Sequence, residues 1–298
     1  MSHVGTAPRP ARSCFLKNKI MPTFRERIAE RTRLTGSCLC IGLDSEPDKL
    51  PREFLGPGDP QVEFNRAIID ATKDLAVCYK PNTAFYESRG VKGFAALEQT
   101  ARYLFSLGIP AIADGKRGDI GNTARQYAKA FLETMPFSAV TVNPYMGEDT
   151  IAPFRDYPDA GIFVLCYTSN PSRVDLQAKT IRKKDGTAEA MYQWVARKIH
   201  DWDTAKNLGA VVGATAPKEL GDIRGILGPD IPILCPGIGA QGGDLEETLR
   251  YGEASLDGNT LINVSRSVLF ASRGKDFAEA ARNKAAGIVD RMRAYFNL

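Results

Sequence analysis

Apolar residues along this chain fall into short, dense runs rather than alternating with polar ones. Runs bounded by Gly, Pro or polar residues occupy 37–44, 75–81, 109–116, 139–145, 161–168, 209–215, 231–239 and 261–267. They are nearly continuous in Val, Ile, Leu, Cys and Ala, which is how strands covered on both faces of a parallel sheet read. Segments with helical period lie between them, among them 62–73, 94–107, 123–134, 188–208 and 218–227, and 277–296 closes the chain. Parallel neighbours need crossover connections, so eight such units without a break in composition predict an α/β fold, a single (β/α)8 TIM barrel. A doubly wound open sheet is the architectural alternative.

Composition sets the bounds of that barrel. With 298 residues, 43% of them apolar and 25% charged, the chain has material for one large core. The barrel is expected over residues 21–298. Residues 1–20 contain Pro, Arg and Lys without helical or strand period, and Met21-Pro22-Thr23-Phe24 reads like a second start, so 1–20 is expected to be a flexible N-terminal extension. No apolar stretch approaches the roughly 18 residues that span a bilayer, and no apolar secretory core is present, so a soluble cytoplasmic protein is expected.

Charge and cysteine usage exclude several function classes. The formal charge is +4, from 39 Lys and Arg against 35 Asp and Glu, with Arg182-Lys183-Lys184 the one conspicuous like-charge block. That balance does not point to nucleic acid, and a mild positive excess suits a phosphorylated metabolite. Of the cysteines at 14, 38, 40, 78, 166 and 235, the last five lie inside apolar runs and read as reduced core residues. There is no C-x-x-C pair and the histidines are His3 and His200, so neither a zinc site nor a disulfide framework has the right spacing. His200 reads as a surface or packing residue.

The candidate chemistry gathers where the strands run out: Asp44, Lys80, Asp114 and Lys116, Asn143, Thr168 and Ser169, Thr215, Gln241 and Arg266. In a barrel this is the C-terminal rim, where active sites are built. Asp114 and Lys116 are two residues apart, so a strand period of two sends both side chains to one face. Lys80 ends the preceding strand, and neighbouring strands lie only about 4.8 Å apart, within reach of the same patch. One Asp or Lys here would be an ordinary surface ion pair. Three charged groups on adjoining strand ends point instead to a functional site. Asp44 alone is read equally well as a loop cap, the glycines of 237–243 as turn residues, and Asn143 as lining a base pocket or, in preference, as a strand end.

These residues also carry a family resemblance. Asp114-Gly115-Lys116-Arg117-Gly118-Asp119-Ile120-Gly121-Asn122-Thr123 resembles the D-x-K-x-x-D-I-x-x-T signature of orotidine 5'-phosphate decarboxylases, in a form similar to the longer bacterial type 2 branch. Ile41-Gly42-Leu43-Asp44, Tyr79-Lys80-Pro81-Asn82, Pro236-Gly237-Ile238-Gly239-Ala240-Gln241-Gly242-Gly243 and Val264-Ser265-Arg266-Ser267 resemble the motifs of its first, second, seventh and eighth strands. Five motifs in the right order on the right strands are far more specific than any one of them.

The resemblance implies a substrate, a reaction and a set of roles. Orotidine 5'-phosphate would lose carbon dioxide to give UMP, the last step of de novo pyrimidine synthesis. Lys80, Asp114, Lys116 and Asp119 would form the charged network under the pyrimidine, with Lys116 the proton donor to C6. Asp119, Ile120 and Thr123 would cross to a neighbouring subunit's site, making the enzyme a homodimer with shared active sites. Asp44 and Lys80 would hold the ribose, Ser169 the pyrimidine, and Gln241, Gly242 and Arg266 the phosphate. No cofactor or metal is expected, because no pyridoxal, thiamine or metal-binding pattern is found and the protein's own electrostatics must stabilise the carbanion.

Two rival reactions share this frame. A sister decarboxylase acting on 3-keto-L-gulonate 6-phosphate would need magnesium and an acidic residue where Lys80 stands, and a Schiff-base aldolase would need a lysine nucleophile. A non-catalytic nucleotide-binding barrel is the reading from a different class. The stretch 170–190, rich in Lys, Arg, Asp and Gln, is too long for an ordinary strand-to-helix loop and reads as a lid, an interface element or a disordered insertion.

Overall fold

A computed structural model describes residues 22–239 and 242–298. The extension expected over 1–20 and the phosphate role of Gln241 therefore lie outside the described residues. The strands are β1 (Leu39–Gly42), β2 (Cys78–Lys80), β3 (Ile112–Arg117), β4 (Ala139–Val142), β5 (Gly161–Tyr167), β6 (Thr180–Arg182), β7 (Ala188–Ala190), β8 (Leu208–Val212), β9 (Ile233–Pro236) and β10 (Thr260–Val264). Eight of them form one parallel sheet in the order β2-β1-β10-β9-β8-β5-β4-β3. Parallel bridges Tyr79↔Ala111 and Asn82↔Asp114 then join its two edges, so the sheet closes on itself as a (β/α)8 barrel. The open-sheet alternative falls on that closure.

Two separate apolar layers explain why the strands read as continuous runs. One face of each strand packs on the helices, with Leu39, Ile41, Val140, Val142, Ile162, Val164, Ala210, Val212, Ile262 and Val264 all buried there. The opposite face fills the barrel with Cys40, Val77, Cys78, Ile112, Ala139, Phe163, Val211, Leu234 and Leu261. The five cysteines among the described residues are buried free thiols, as core residues of this kind should be.

The floor of the barrel is closed by a helix, Phe24–Thr35, that the hydrophobic runs do not pick out. Thr23 and Glu26 form a capping box at its start, and Gly36 ends it with φ 60°. Only one edge of this helix enters the interior, through Phe24 and Ile28, and the Phe24 ring meets Phe163 edge-on at 5.6 Å. With Arg25, Glu26, Arg27, Glu30, Arg31 and Arg33 along the rest of it, the apolar signal is too narrow to mark a helix by periodicity.

The 170–190 stretch is ordered as a short 3-10 helix, Pro171–Asp175, followed by the antiparallel hairpin β6–β7. Lys184 and Asp185 are the central residues of its turn, closed by the Gly186 amide donating to the Lys183 carbonyl at 3.1 Å, with Gly186 at φ 84°. Glu189 on it is ion-paired with Lys183 at 2.9 Å and accepts from Arg197 Nε at 2.8 Å. The helix expected from residue 188 starts instead at Met191, because Ala188–Ala190 is spent on pairing with Thr180–Arg182.

Candidate active site

A cavity of about 410 Å³ opens at the C-terminal ends of the strands. Asp44, Lys80, Asp114, Lys116, Ser169 and Arg266 all line it, so six residues distant in sequence meet where the rim of a barrel places functional groups.

Asp114 is the centre of its electrostatics. Its Oδ2 accepts from Lys80 Nζ at 2.7 Å, and its Oδ1 accepts from Lys116 Nζ at 2.6 Å and from the Thr141 hydroxyl at 3.0 Å. Burial alone would raise the Asp114 pKa, but the two ammonium groups outweigh it and hold the carboxyl well below the usual carboxylate range. For Lys80 burial works against the charged form, yet Asp114 and Asp44 more than offset it and its pKa lies above the ordinary lysine value. Lys80 lines the cavity but is nearly buried, with 4% of its side chain exposed, whereas Lys116 is 44% exposed at the mouth. One lysine is a fixed counter-ion and the other is accessible to a ligand.

Lys116 reaches Asp114 by a route that simple alternation does not describe. Its φ is 44°, in the left-handed region that non-glycine residues seldom occupy, and the β3–β4 register shifts between Ala113 and Arg117. Thr141 supports the irregular backbone: its Oγ1 accepts from the Lys116 amide at 2.9 Å while donating to Asp114. On the far side Arg117 is anchored by Glu87 and by the rings of Tyr127 and Phe131, at 5.4 and 5.3 Å. Strain of this kind, held by surrounding contacts, is common at functional positions.

Asp44 lies at the other side of the cavity, where Ser265 Oγ donates to its Oδ2 at 2.7 Å. It caps no helix, which removes the bland reading of this residue. Its Oδ1 is buried and has no hydrogen-bond partner among the described residues, an acceptor available to a hydroxyl. Gly42 makes the arrangement possible, since a Cβ there would stand 2.7 Å from Ser265 Cβ.

The remaining expected residues are distributed unevenly. Asp119, Ile120 and Thr123 follow β3 but do not line the cavity of their own chain, and Ile120 is 51% exposed. Gly242 sits in the loop after β9 with φ 85° and likewise does not line the cavity. Asn143 is exposed and accepts from the Tyr145 amide at 3.0 Å, a local turn contact as expected of a strand end. His200 is a surface residue, 60% exposed. Thr141 and Asn263 are site residues that the sequence did not mark, and Asn82 and Ser265 stand within motifs that gave them no role. For Thr141 a signal existed, a lone hydroxyl inside the apolar run Ala139–Val142, which a buried strand tolerates only with partners.

Residues 37–282 match the sequence profile described as the orotidine 5'-phosphate decarboxylase / HUMPS family. The chain belongs to that family. Among its relatives, orotidine 5'-phosphate decarboxylase of Cupriavidus necator is 46% identical over 266 residues, covering 88% of this chain and 95% of that protein. The structure of Leishmania donovani OMP decarboxylase superimposes with TM-score 0.75 at 36% identity, over 91% of this chain and 99% of that one. Leishmania donovani UMP synthase gives TM-score 0.77 at 38% identity over 92% of this chain, which spans only 57% of that longer protein. Within the orotidine 5'-phosphate decarboxylase / HUMPS family, the Lys80–Asp114–Lys116 cluster thus sits on the same barrel as enzymes named for decarboxylation. No helix among the described residues is long and apolar enough to cross a membrane.

Proposed function

We propose that this chain decarboxylates orotidine 5'-phosphate to UMP and carbon dioxide, with Lys116 as the proton donor. The observation that carries the reading is the Asp114 carboxylate held between Lys80 and Lys116 at 2.7 and 2.6 Å on the wall of the cavity. Breaking the C6–carboxylate bond leaves its electron pair on C6, where no ring carbonyl is placed to delocalise it. A preorganised ammonium answers this need, because it is oriented before the charge develops and costs no reorganisation when it does. The Lys116 proton then passes to C6, giving UMP, and the lysine regains a proton from solvent.

Asp114 sits where the departing carboxylate would come near a fixed negative charge, and its depressed pKa keeps that charge in place. The unpartnered Asp44 oxygen suits a ribose hydroxyl, with Lys80 beside it, and Ser169 would face the pyrimidine. Arg266, with Gln241 and Gly242, would hold the phosphate, whose remote binding energy is best used to close the site. The high pKa of Lys80 disfavours it as a Schiff-base nucleophile. The same cation also stands where the magnesium-dependent sister enzyme is expected to carry an acidic ligand.

The working unit in this reading is a cytoplasmic homodimer of one barrel domain over 21–298, of the longer type 2 form. Asp119, Ile120 and Thr123 would complete the neighbour's site. Their position off the cavity of their own chain supports this, as does the exposure of Ile120, Tyr145 and Met146, at 51, 85 and 47%. The test follows the loss of orotate absorbance with purified protein and with Lys116→Ala. Turnover should vanish in the variant while UMP still binds, and near-normal turnover would overturn the assignment of the proton donor.

A further inference from the structure

Thr168, Ser169 and Asn170 form one wall of the cavity. Behind that wall stand four residues that do not line the cavity and yet fix its position. Gly213, after β8, lies so close that a Cβ on it would come within 2.7 Å of the Ser169 amide nitrogen and Cα. Arg173 Nη1 donates to the Ser169 carbonyl at 3.3 Å and to Thr215 Oγ1 at 3.0 Å, and Thr215 donates to the same carbonyl at 3.2 Å. Gln177 receives the Thr168 amide on Oε1 at 2.8 Å and donates from Nε2 to the Thr168 hydroxyl at 2.8 Å.

These contacts are tied to the body of the barrel through the insertion. The Arg173 guanidinium lies 5.0 Å from the centre of the Tyr167 ring, which packs in turn at a 48° tilt against Tyr192 with ring centres 4.7 Å apart, and Tyr192 Oη donates to Asp222 at 3.0 Å. The Gln177 main chain accepts from the Tyr192 amide at 2.9 Å, and Lys179 accepts from that of Met191 at 2.8 Å. The wall is therefore fastened to the start of the helix Met191–Trp202. A planar guanidinium that donates and stacks at once, and a carboxamide that accepts and donates at once, are both hard to replace.

We infer that Arg173 and Gln177 are positioning residues, that the 170–190 insertion is a brace presetting the Thr168–Ser169 wall, and that this brace sets recognition of the base. The inference rests on the reading of Ser169 as the pyrimidine contact. A ligand lacking the base should not sense the brace, whereas a ligand carrying it should.

The experiment compares UMP with ribose 5-phosphate by calorimetry for Arg173→Ala, Arg173→Lys, Gln177→Ala and Ser169→Ala, and for Ser169→Ala combined with Arg173→Ala. Arg173→Ala and Gln177→Ala should each weaken UMP by about tenfold while ribose 5-phosphate stays within about twofold, and kcat/KM should fall by up to about a hundredfold, the scale of misplacement effects. Arg173→Lys should recover only part of the loss. In the Ser169→Ala background Arg173→Ala should cost little more, because it acts through Ser169. Equal losses for the two ligands, or losses that add fully to that of Ser169→Ala, would overturn the brace. Wild-type turnover tests the decarboxylase reading separately, since the ligand comparison needs binding alone.

Discussion

Replacing Lys80 by Met removes the ammonium and keeps most of the stem's volume. In the wild type, Lys80 and Asp114 are 4% and 9% exposed and 2.7 Å apart. Taking away one member of a buried pair leaves the other charge without compensation, at a cost of about 3–5 kcal/mol. Asp114 would retain Lys116 at 2.6 Å and Thr141 at 3.0 Å, which places the loss at the lower end. About 3 kcal/mol in a chain of this size corresponds to a drop in Tm of about 6 °C. The assay is urea unfolding at pH 7 of the wild type, Lys80→Met, Asp114→Asn and the double variant. Asp114→Asn should restore stability in the Lys80→Met background, because a neutral amide no longer needs a counter-ion there. A Lys80→Met protein within about 0.5 kcal/mol of wild type, or an Asp114→Asn effect equal in both backgrounds, would refute the reasoning.

Three further outcomes are expected. As Asp114 has a folded pKa below its unfolded value near 3.9, its contribution to stability is complete above about pH 5 and is lost as pH falls through the folded value. The stability gap between wild type and Asp114→Asn should narrow from pH 7 to pH 3, and a constant gap would contradict the depressed pKa. Arg224 is 1% exposed and donates to the carbonyls of Gly252, Gly228, Ile231 and Asn259 at 2.7–2.9 Å, so Arg224→Met should cost at least about 3 kcal/mol in urea unfolding with KM little changed. Finally, Lys116→Ala and Asp119→Ala, each inactive, should regain a fraction of activity when their subunits are mixed and exchanged. A mixture that stays inactive under confirmed exchange would remove Asp119 from the neighbour's site.

What the sequence determined by itself is the alternation of eight buried strands with crossover segments, and with it the barrel. Such strands are apolar on both faces, so their signal is dense and local, needing no knowledge of what packs where. It also determined the members of the charged cluster, since Asp44, Lys80, Asp114 and Lys116 lie at or near the ends of three of those runs and strand ends in a barrel share one rim. The floor helix escaped the sequence reading because it buries a single narrow edge, and its one local signal is the Thr23–Glu26 capping box. Tertiary structure alone decided how the cluster is built. Lys116 meets Asp114 through a residue at φ 44° and a register shift, where period two predicts a regular strand, and that conformation stands only because Thr141 and Arg117 hold it from both sides. It also decided the fate of the 170–190 stretch, whose polar composition fits a lid, a loose insertion or an interface equally well. The pairing of Glu189 with Arg197 and the grip of Arg173 and Gln177 on Ser169 and Thr168 join the stretch to partners outside the hairpin itself, which no local pattern encodes.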